Sequence, residues 1–332
     1  MSGFMSDRPS NIRSVLRGDS WPSTALKTLF GCLLATGLVC STQASATANA
    51  GFADADDLRR DANSAVRDFT SVEIAYDEIG YSRFKTPENA DQRIKFGALT
   101  ALAGYYHYVT CTEAVGLSLG YLEQDIHWKQ SPEFRQTTFE NMLIDVGAFT
   151  TRFPRWLIKG LFRAQINTES FSDSDNYLYT TMAWGRYDLC NDWYFHMGFI
   201  VEWGMEKSKM WPIIGIEGRP WKCVKLNLIY PLDLSAKYFF YDQFYLGTAI
   251  HFFHYRNHLK GSERVSKGFF EYDNTGVEAQ IGYELCPIAK AELHAGRAFG
   301  NDIKVSDRNH ENTTHHKFKG AAYFGGSIEV KF

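Results

Sequence analysis

From Phe69 to the C-terminus, apolar and polar residues alternate. Val72, Ile74 and Tyr76 share one face against Glu73 and Asp77, and Val115, Leu117, Leu119 and Tyr121 oppose Gly116, Ser118 and Gly120. Met142, Ile144 and Val146 likewise face away from Asn141 and Asp145, and Trp156, Ile158, Phe162, Ala164 and Ile166 oppose Lys159, Arg163 and Gln165. A period of two marks a strand with one apolar and one polar face. The same alternation sets Ile94 and Phe96 against Arg93 and Lys95, and returns near 177–187, 193–204, 212–218, 223–230, 233–240, 243–256, 276–285, 288–299 and 319–332. The pattern predicts about fourteen strands, with about twelve as the alternative because each period-two signal is weak.

Two further patterns separate a membrane barrel from a soluble sandwich. In 193–204, Trp193, Phe195, Met197, Phe199, Val201 and Trp203 lie on one face, and the two tryptophans are ten positions apart. At ~3.3 Å per residue and a tilt of about 40°, their separation in depth is about 25 Å, the spacing of two aromatic girdles at the faces of a bilayer. Trp193 and Trp203 are therefore the candidate girdle. Connections also alternate: the short "RFPR", "LCND", "GRPWK", "YDQ" and "LCPI" take turns with "EQDIHWKQSPEFRQTT", "NTESFSDSDN", "EKSK", "NHLKGSERVSKGFFEYD" and "NDIKVSDRNHENTTHHKF". Such barrels put short turns on one rim and long loops on the other. The very short "YPLD", on the long-loop side, is the poor fit.

Composition sharpens this picture. The 332 residues are 45% hydrophobic and 15% aromatic, yet mean hydropathy is −0.30, so apolar residues are dispersed rather than gathered into helical spans. A net charge of −3 without a basic stripe excludes nucleic-acid binding. Ahead of the strands, Arg8, Arg13, Arg17 and Lys27 precede "TLFGCLLATGLVC" and the small-residue stretch "STQASATANA". Basic region, short apolar core and small-residue sites predict a secretory signal over 1–50, cleaved near Ala46 or Ala50. Residues 51–68 form a leader in which Leu58, Ala62 and Val66 have helical spacing, so a short helix competes there with an irregular segment. Residues 69–332 form the barrel.

The C-terminal strand carries the most specific resemblance. Phe324, Ile328, Val330 and Phe332 fall on one face and the chain stops on an aromatic residue. With the signal and the alternating span 69–332, this resembles the outer-membrane β-barrel superfamily of double-membraned bacteria, and the stretch "PIIGIEGRPWKCVKLNLIYPLDLSAKYFFYDQFYLGTAIHFF" looks like an uncharacterised group within it. The resemblance implies an all-β antiparallel transmembrane barrel in the outer membrane. Lipid and the barrel-assembly machinery are the implied partners, with Phe324, Ile328, Val330 and Phe332 as the assembly signal.

Candidate chemistry is sparse. The polar face offers Arg93, Lys95, Asp145, Lys159, Arg163, Glu202, Glu278, Glu284, Lys290, Glu292, Glu329 and Lys331 as lumen-facing residues of both signs. A barrel of this size lies between filled and open ones, so a small porin-like passive channel of low selectivity is the leading expectation. A structural or surface-interaction role for the loops 122–140, 257–274 and 300–318 is the alternative. A lipid hydrolase is least favoured. The H-x-S-N signature of the lipid A deacylases meets His254-Tyr255-Arg256-Asn257 here, and an arginine cannot replace the nucleophilic hydroxyl. No catalytic residue, metal or cofactor is expected; His251, His254, His258, His310, His315 and His316 lie on or near polar loops, where a solvated surface is the simpler reading. Cys111, Cys190, Cys223 and Cys286 all fall at short turns. Neighbouring turns could be bridged (Cys190 with Cys223), partner molecules could be joined, or the thiols could stay free.

Overall fold

The computed structural model describes residues 68–85, 91–128, 131–168, 177–190, 192–205, 208–241, 243–285, 288–300, 302–309 and 312–332. The expected signal, nearly all of the leader, Cys286 and His310 lie outside the described residues. The strands are β1 (Phe69–Arg83), β2 (Arg93–Thr110), β3 (Glu113–Trp128), β4 (Thr138–Thr150), β5 (Trp156–Asn167) and β6 (Tyr177–Cys190). They continue with β7 (Trp193–Gly204), β8 (Lys209–Trp221), β9 (Val224–Tyr230), β10 (Asp233–Phe239) and β11 (Phe244–His258). The last are β12 (Phe269–Leu285), β13 (Ala289–Ala298), β14 (Asp302–Ser306), β15 (Thr313–Lys317) and β16 (Ala321–Lys331).

Each strand pairs antiparallel with its neighbour in sequence from β1 to β13. β16 then pairs with both β13 and β1, closing a barrel of 14 strands. The seam between β1 and β16 runs from Ser71↔Lys331 to Ile79↔Tyr323. At the terminal rim, the Phe332 amide donates to the Thr70 carbonyl at 2.9 Å and the Thr70 amide donates back at 3.2 Å. Asp68, just ahead of β1, accepts from the Tyr105 hydroxyl at 2.6 Å and the Tyr108 amide at 3.1 Å, and meets the His107 ring at 2.9 Å. Those bonds, the Tyr105 hydroxyl first, lower its carboxyl from 3.8 to about 2.

β14 and β15 are not barrel strands of their own. β14 takes over from β13 beside β12, because Ala298 faces Gly276 and Asp302 then faces Asp273. The segment after β15 returns to the end of β1 through the Phe84↔Phe318 bridge. Gly300 sits at the break with φ +77°, where an added Cβ would lie 2.4 Å from the Lys319 backbone. Only glycine fits that bend.

One stretch of wall leans inward. β9 and β10 are only 7 residues long, between β8 with 13 and β11 with 15. The β8–β9 ladder starts at Ile214, and the β10–β11 ladder stops at Ile250. Beyond those points the end of β11, with β12 and β14 zipped beside it, crosses the lumen as a flap. Asn257 on the flap donates to Gln124 on β3 and accepts from Asn141 of β4 at 3.1 Å. Gln165 of β5 donates to the Arg256 carbonyl at 3.3 Å, and Arg256 donates to Glu202 of β7 at 3.2 Å. The flap tip rests on the β3–β4 connection through Val265 N to Glu133 O at 3.2 Å and Arg135 N to Glu263 Oε2 at 2.6 Å.

The flap reverses the usual sidedness. Phe253, Tyr255, Phe270, Tyr272, Ile303 and Val305 pack with Ile79, Ile94, Phe96, Ile126, Trp128 and Phe139 in one buried apolar cluster. Phe96 stacks on Tyr272 with centroids 4.4 Å apart. The expectation that Arg93 and Lys95 face the lumen is therefore corrected. Ile94 and Phe96 turn inward because an apolar flap fills the barrel there, and Lys95 meets outward-facing Glu78 at 2.8 Å. The stretches 257–274 and 300–318 are corrected too: much of each is strand folded over the lumen rather than loop.

Candidate functional site

The inner wall divides into a filled side and a wet side. On β3 to β9 the inward residues are almost all buried. Arg163 donates through Nε and Nη2 to both oxygens of Asp145, each at 2.7 Å. Lys159 lies over the Trp184 ring at 5.3 Å, and Arg186 over Tyr194 at 4.3 Å. Glu217 gathers Lys225 at 3.2 Å, His196 at 3.1 Å and Arg186 at 4.0 Å. Around these charges pack Leu157, Leu161, Met182, Ile200, Trp211, Ile213 and Ile229. Charges so buried persist only when paired. This side carries no open channel wall.

The wet side is β1, β16 and β13, with the lower parts of β10 to β12. Ser71, Glu73, Ala75 and Asp77 are half-buried in succession, as are Ser327, Glu329 and Lys331 on β16 and Lys290 and Glu292 on β13. This strip is a vestibule open at the terminal rim. Its carboxylates (Glu73, Asp77, Glu284, Glu292, Glu329 and the deeper Glu278) outnumber its lysines (Lys237, Lys290, Lys331). The vestibule ends at His251, His294 and Tyr323. Tyr323 donates to Glu278 at 2.7 Å, His251 stacks on Phe253 at 4.3 Å, and the flap cluster lies beyond.

The flap's other face is a polar seam against β7 and β8. Glu202, Glu271 and Asp273 are matched by Arg256, Lys209 and Lys304, with His254 between Asp273 and Glu202. Three carboxylates meet one arginine and two lysines, so the seam is balanced with all six charged.

Of the residues expected in the lumen, Asp145, Lys159, Arg163 and Glu202 lie on the filled side, and Glu278, Glu284, Lys290, Glu292, Glu329 and Lys331 line the vestibule. Trp193 and Trp203 are outward at opposite ends of β7, and Trp203 packs with Tyr179 at 5.8 Å and Phe162 at 6.1 Å. Phe324, Ile328 and Phe332 are exposed on the outer face, which Val330 shares. Cys111, Cys190 and Cys223 carry free thiols, so the Cys190–Cys223 bridge is not formed in this structure. His251 and His254 are not loop residues; they sit on β11 within the barrel. The sequence reading omitted His294, Asp273, Glu271 and Lys209. His294 was within reach, because it shares strand and parity with Lys290 and Glu292.

The outer surface states the class. Ile74 is 52% exposed, Leu119 56% and Leu293 66%, and with Val72, Leu117, Val146, Ile214 and Ile328 they make an apolar belt around a closed barrel that keeps its charged residues inside at the same level. Only lipid makes such a belt stable. The fold is that of a membrane-spanning β-barrel of 14 strands. No family model matches it. A Chlamydia trachomatis protein of uncharacterised function is 27% identical over 92% of this chain and 100% of its own length. A Chlamydia pneumoniae protein, also uncharacterised, is 29% identical over 67% of this chain and 75% of its own. Among solved structures, an outer membrane channel from Pseudomonas putida F1 covers 80% of this chain and 95% of its own, with TM-score 0.44 and 8% identity. The Pseudomonas putida toluene transporter TodX covers 85% and 95%, with TM-score 0.40 and 6% identity. These overlaps are loose, and what those proteins carry belongs to their own lumens.

Proposed function

We propose that this barrel is a small, passive, cation-preferring channel that the flap holds shut in the conformation described. The observation that carries this reading is the vestibule: a water-accessible, acid-rich strip that enters from the terminal rim and stops beneath the flap. A purely structural barrel has no need of hydrated, unequal charge inside. The balanced seam around His254 is the latch, and the apolar face of Phe96 and Tyr272 is the seal. The passage carries out no chemistry on its solute. Lipid surrounds the belt, and Phe324, Ile328, Val330 and Phe332 serve the assembly machinery.

Planar-bilayer recording tests this on a cysteine pair, Asn141→Cys with Asn257→Cys, in a background where the native cysteines are serine. Those side chains touch across the closed flap. Reduced protein is expected to show stepwise cation current and oxidised protein to be silent. Silence in both states, also after shortening the tip 259–268, overturns the channel. A second reading, a surface-contact role, is favoured by the charged outer wall of Glu78, Lys95, Glu123 and Asp125 beside the flap. It gains if the barrel stays silent.

A further inference from the structure

We propose that Glu278, Glu292 and His294 form a binding site for a first-row divalent cation of the zinc and manganese class, at the inner end of the vestibule. One ligand atom from each of the three residues lies within 4.8 Å of those of the other two. The acidic residues alone would not carry the idea; His294 does. Its side chain is only 8% exposed, and its Nε2 lies 2.7 Å from Asp77 Oδ1. Its Nδ1 is buried and has no hydrogen-bond partner. That nitrogen points at Glu292 Oε1 from 3.8 Å, too long for a hydrogen bond and suited to two ligands of one ion. A carboxylate holding one imidazole nitrogen while the other faces the metal is the usual way a ligand histidine is oriented. With a metal on Nδ1, Nε2 carries the proton and donates it to Asp77.

The surroundings agree. Gln280 bridges the two carboxylates, donating to Glu278 at 2.6 Å and Glu292 at 3.2 Å, and its Oε1 is buried with no partner. Gly325 is required opposite, since an added Cβ would come within 2.5 Å of both His294 Nε2 and Asp77 Oδ1. Four carboxylates (Asp77, Glu278, Glu284, Glu292) face two lysines, Lys237 and Lys290. One imidazole and two carboxylates suit a borderline cation and leave coordination positions open toward the vestibule. The other buried triad, His254 with Glu271 and Asp273, lacks this logic: both of its imidazole nitrogens meet carboxylates, and Lys209, Arg256 and Lys304 already neutralise it.

The site does not depend on conduction, because a silent barrel would hold the ion equally well. The full-length barrel, folded in detergent micelles, is titrated with cobalt(II) alone while visible absorption is followed. One equivalent is expected, displaced by zinc. His294→Gln and Glu292→Gln should each abolish it, and Asp77→Asn should weaken it by roughly 10–100-fold through loss of orientation. His315→Gln, on the flap surface, should change nothing. Heat-modifiable gel mobility reports whether each variant is folded. X-ray absorption of the wild-type cobalt complex needs no variant and should read one imidazole nitrogen among oxygens. Absence of uptake, uptake indifferent to His294→Gln in a folded barrel, or a metal shell without imidazole overturns the site.

Discussion

The lipid-facing belt and the outer end of β1 to β4 are built from the same strands with opposite sidedness. Along Val72, Ile74, Leu117 and Leu119 the oily residues point out and the partners of charge point in. A few residues further along β2 and β3, Ile94, Phe96, Ile126 and Trp128 point in, while Lys95, Glu123, Asp125 and His127 point out. Nothing about the strands changes between the two regions except their surroundings. In the belt the solvent outside is hydrocarbon; at the outer end it is water, and the flap supplies the hydrocarbon from within. Sidedness in a barrel is thus a local answer to which side is dry.

Substitutions in the two regions should differ in cost. Asp145→Ala, on the filled side of the belt, strands a buried Arg163; it should cost about 3–5 kcal/mol, read as a lower urea midpoint for the barrel in detergent. Phe96→Ala opens a cavity in the flap seal and should also cost about 3–5 kcal/mol, with the added result of bilayer current in an otherwise native sequence. Leu119→Arg places a charge in the belt and should cost about 2–4 kcal/mol if the residue lies near the bilayer midplane, with less folded protein recovered from vesicles. Lys95→Ala removes only a half-buried pair on the outer face and should cost about 0–1 kcal/mol. If Lys95→Ala proved as damaging as Phe96→Ala, the inversion would be wrong. The smallest effect concerns Asp68. Its carboxyl is held below the ordinary value, so its bonds are present above 3.8 and lost as pH falls toward about 2. The ring signals of Tyr105 should titrate in that window by NMR, and Asp68→Asn should abolish the change.

Much of the architecture was legible in the alternation. β1, β3, β7 and β16 carry an oily face long enough to name, and even the awkward "YPLD" turn proves to be a true connection between β9 and β10. What alternation cannot say is which face looks inward. It reports that two sides differ, and both Ile94 against Lys95 and Ile74 against Glu73 satisfy it equally. The flap was hidden for the same reason: His254, Arg256, Glu271 and Asp273 read as loop polarity, because their partners Glu202 and Lys209 lie far away in sequence and only folding joins them. His294 was missed more cheaply, since parity with Glu292 already put it on the inner face.

The shortness of β9 and β10 governs how the flap can move. Its β12 and β14 strands stay zipped to each other and onward through β15 to the end of β1, whereas the ladder on the β10 side ends at Ile250. The sheet is therefore hung like a door from one jamb and bolted by ion pairs at the other. Lifting its free side, as the proposed opening requires, would break ion pairs and hydrogen bonds but no strand ladder.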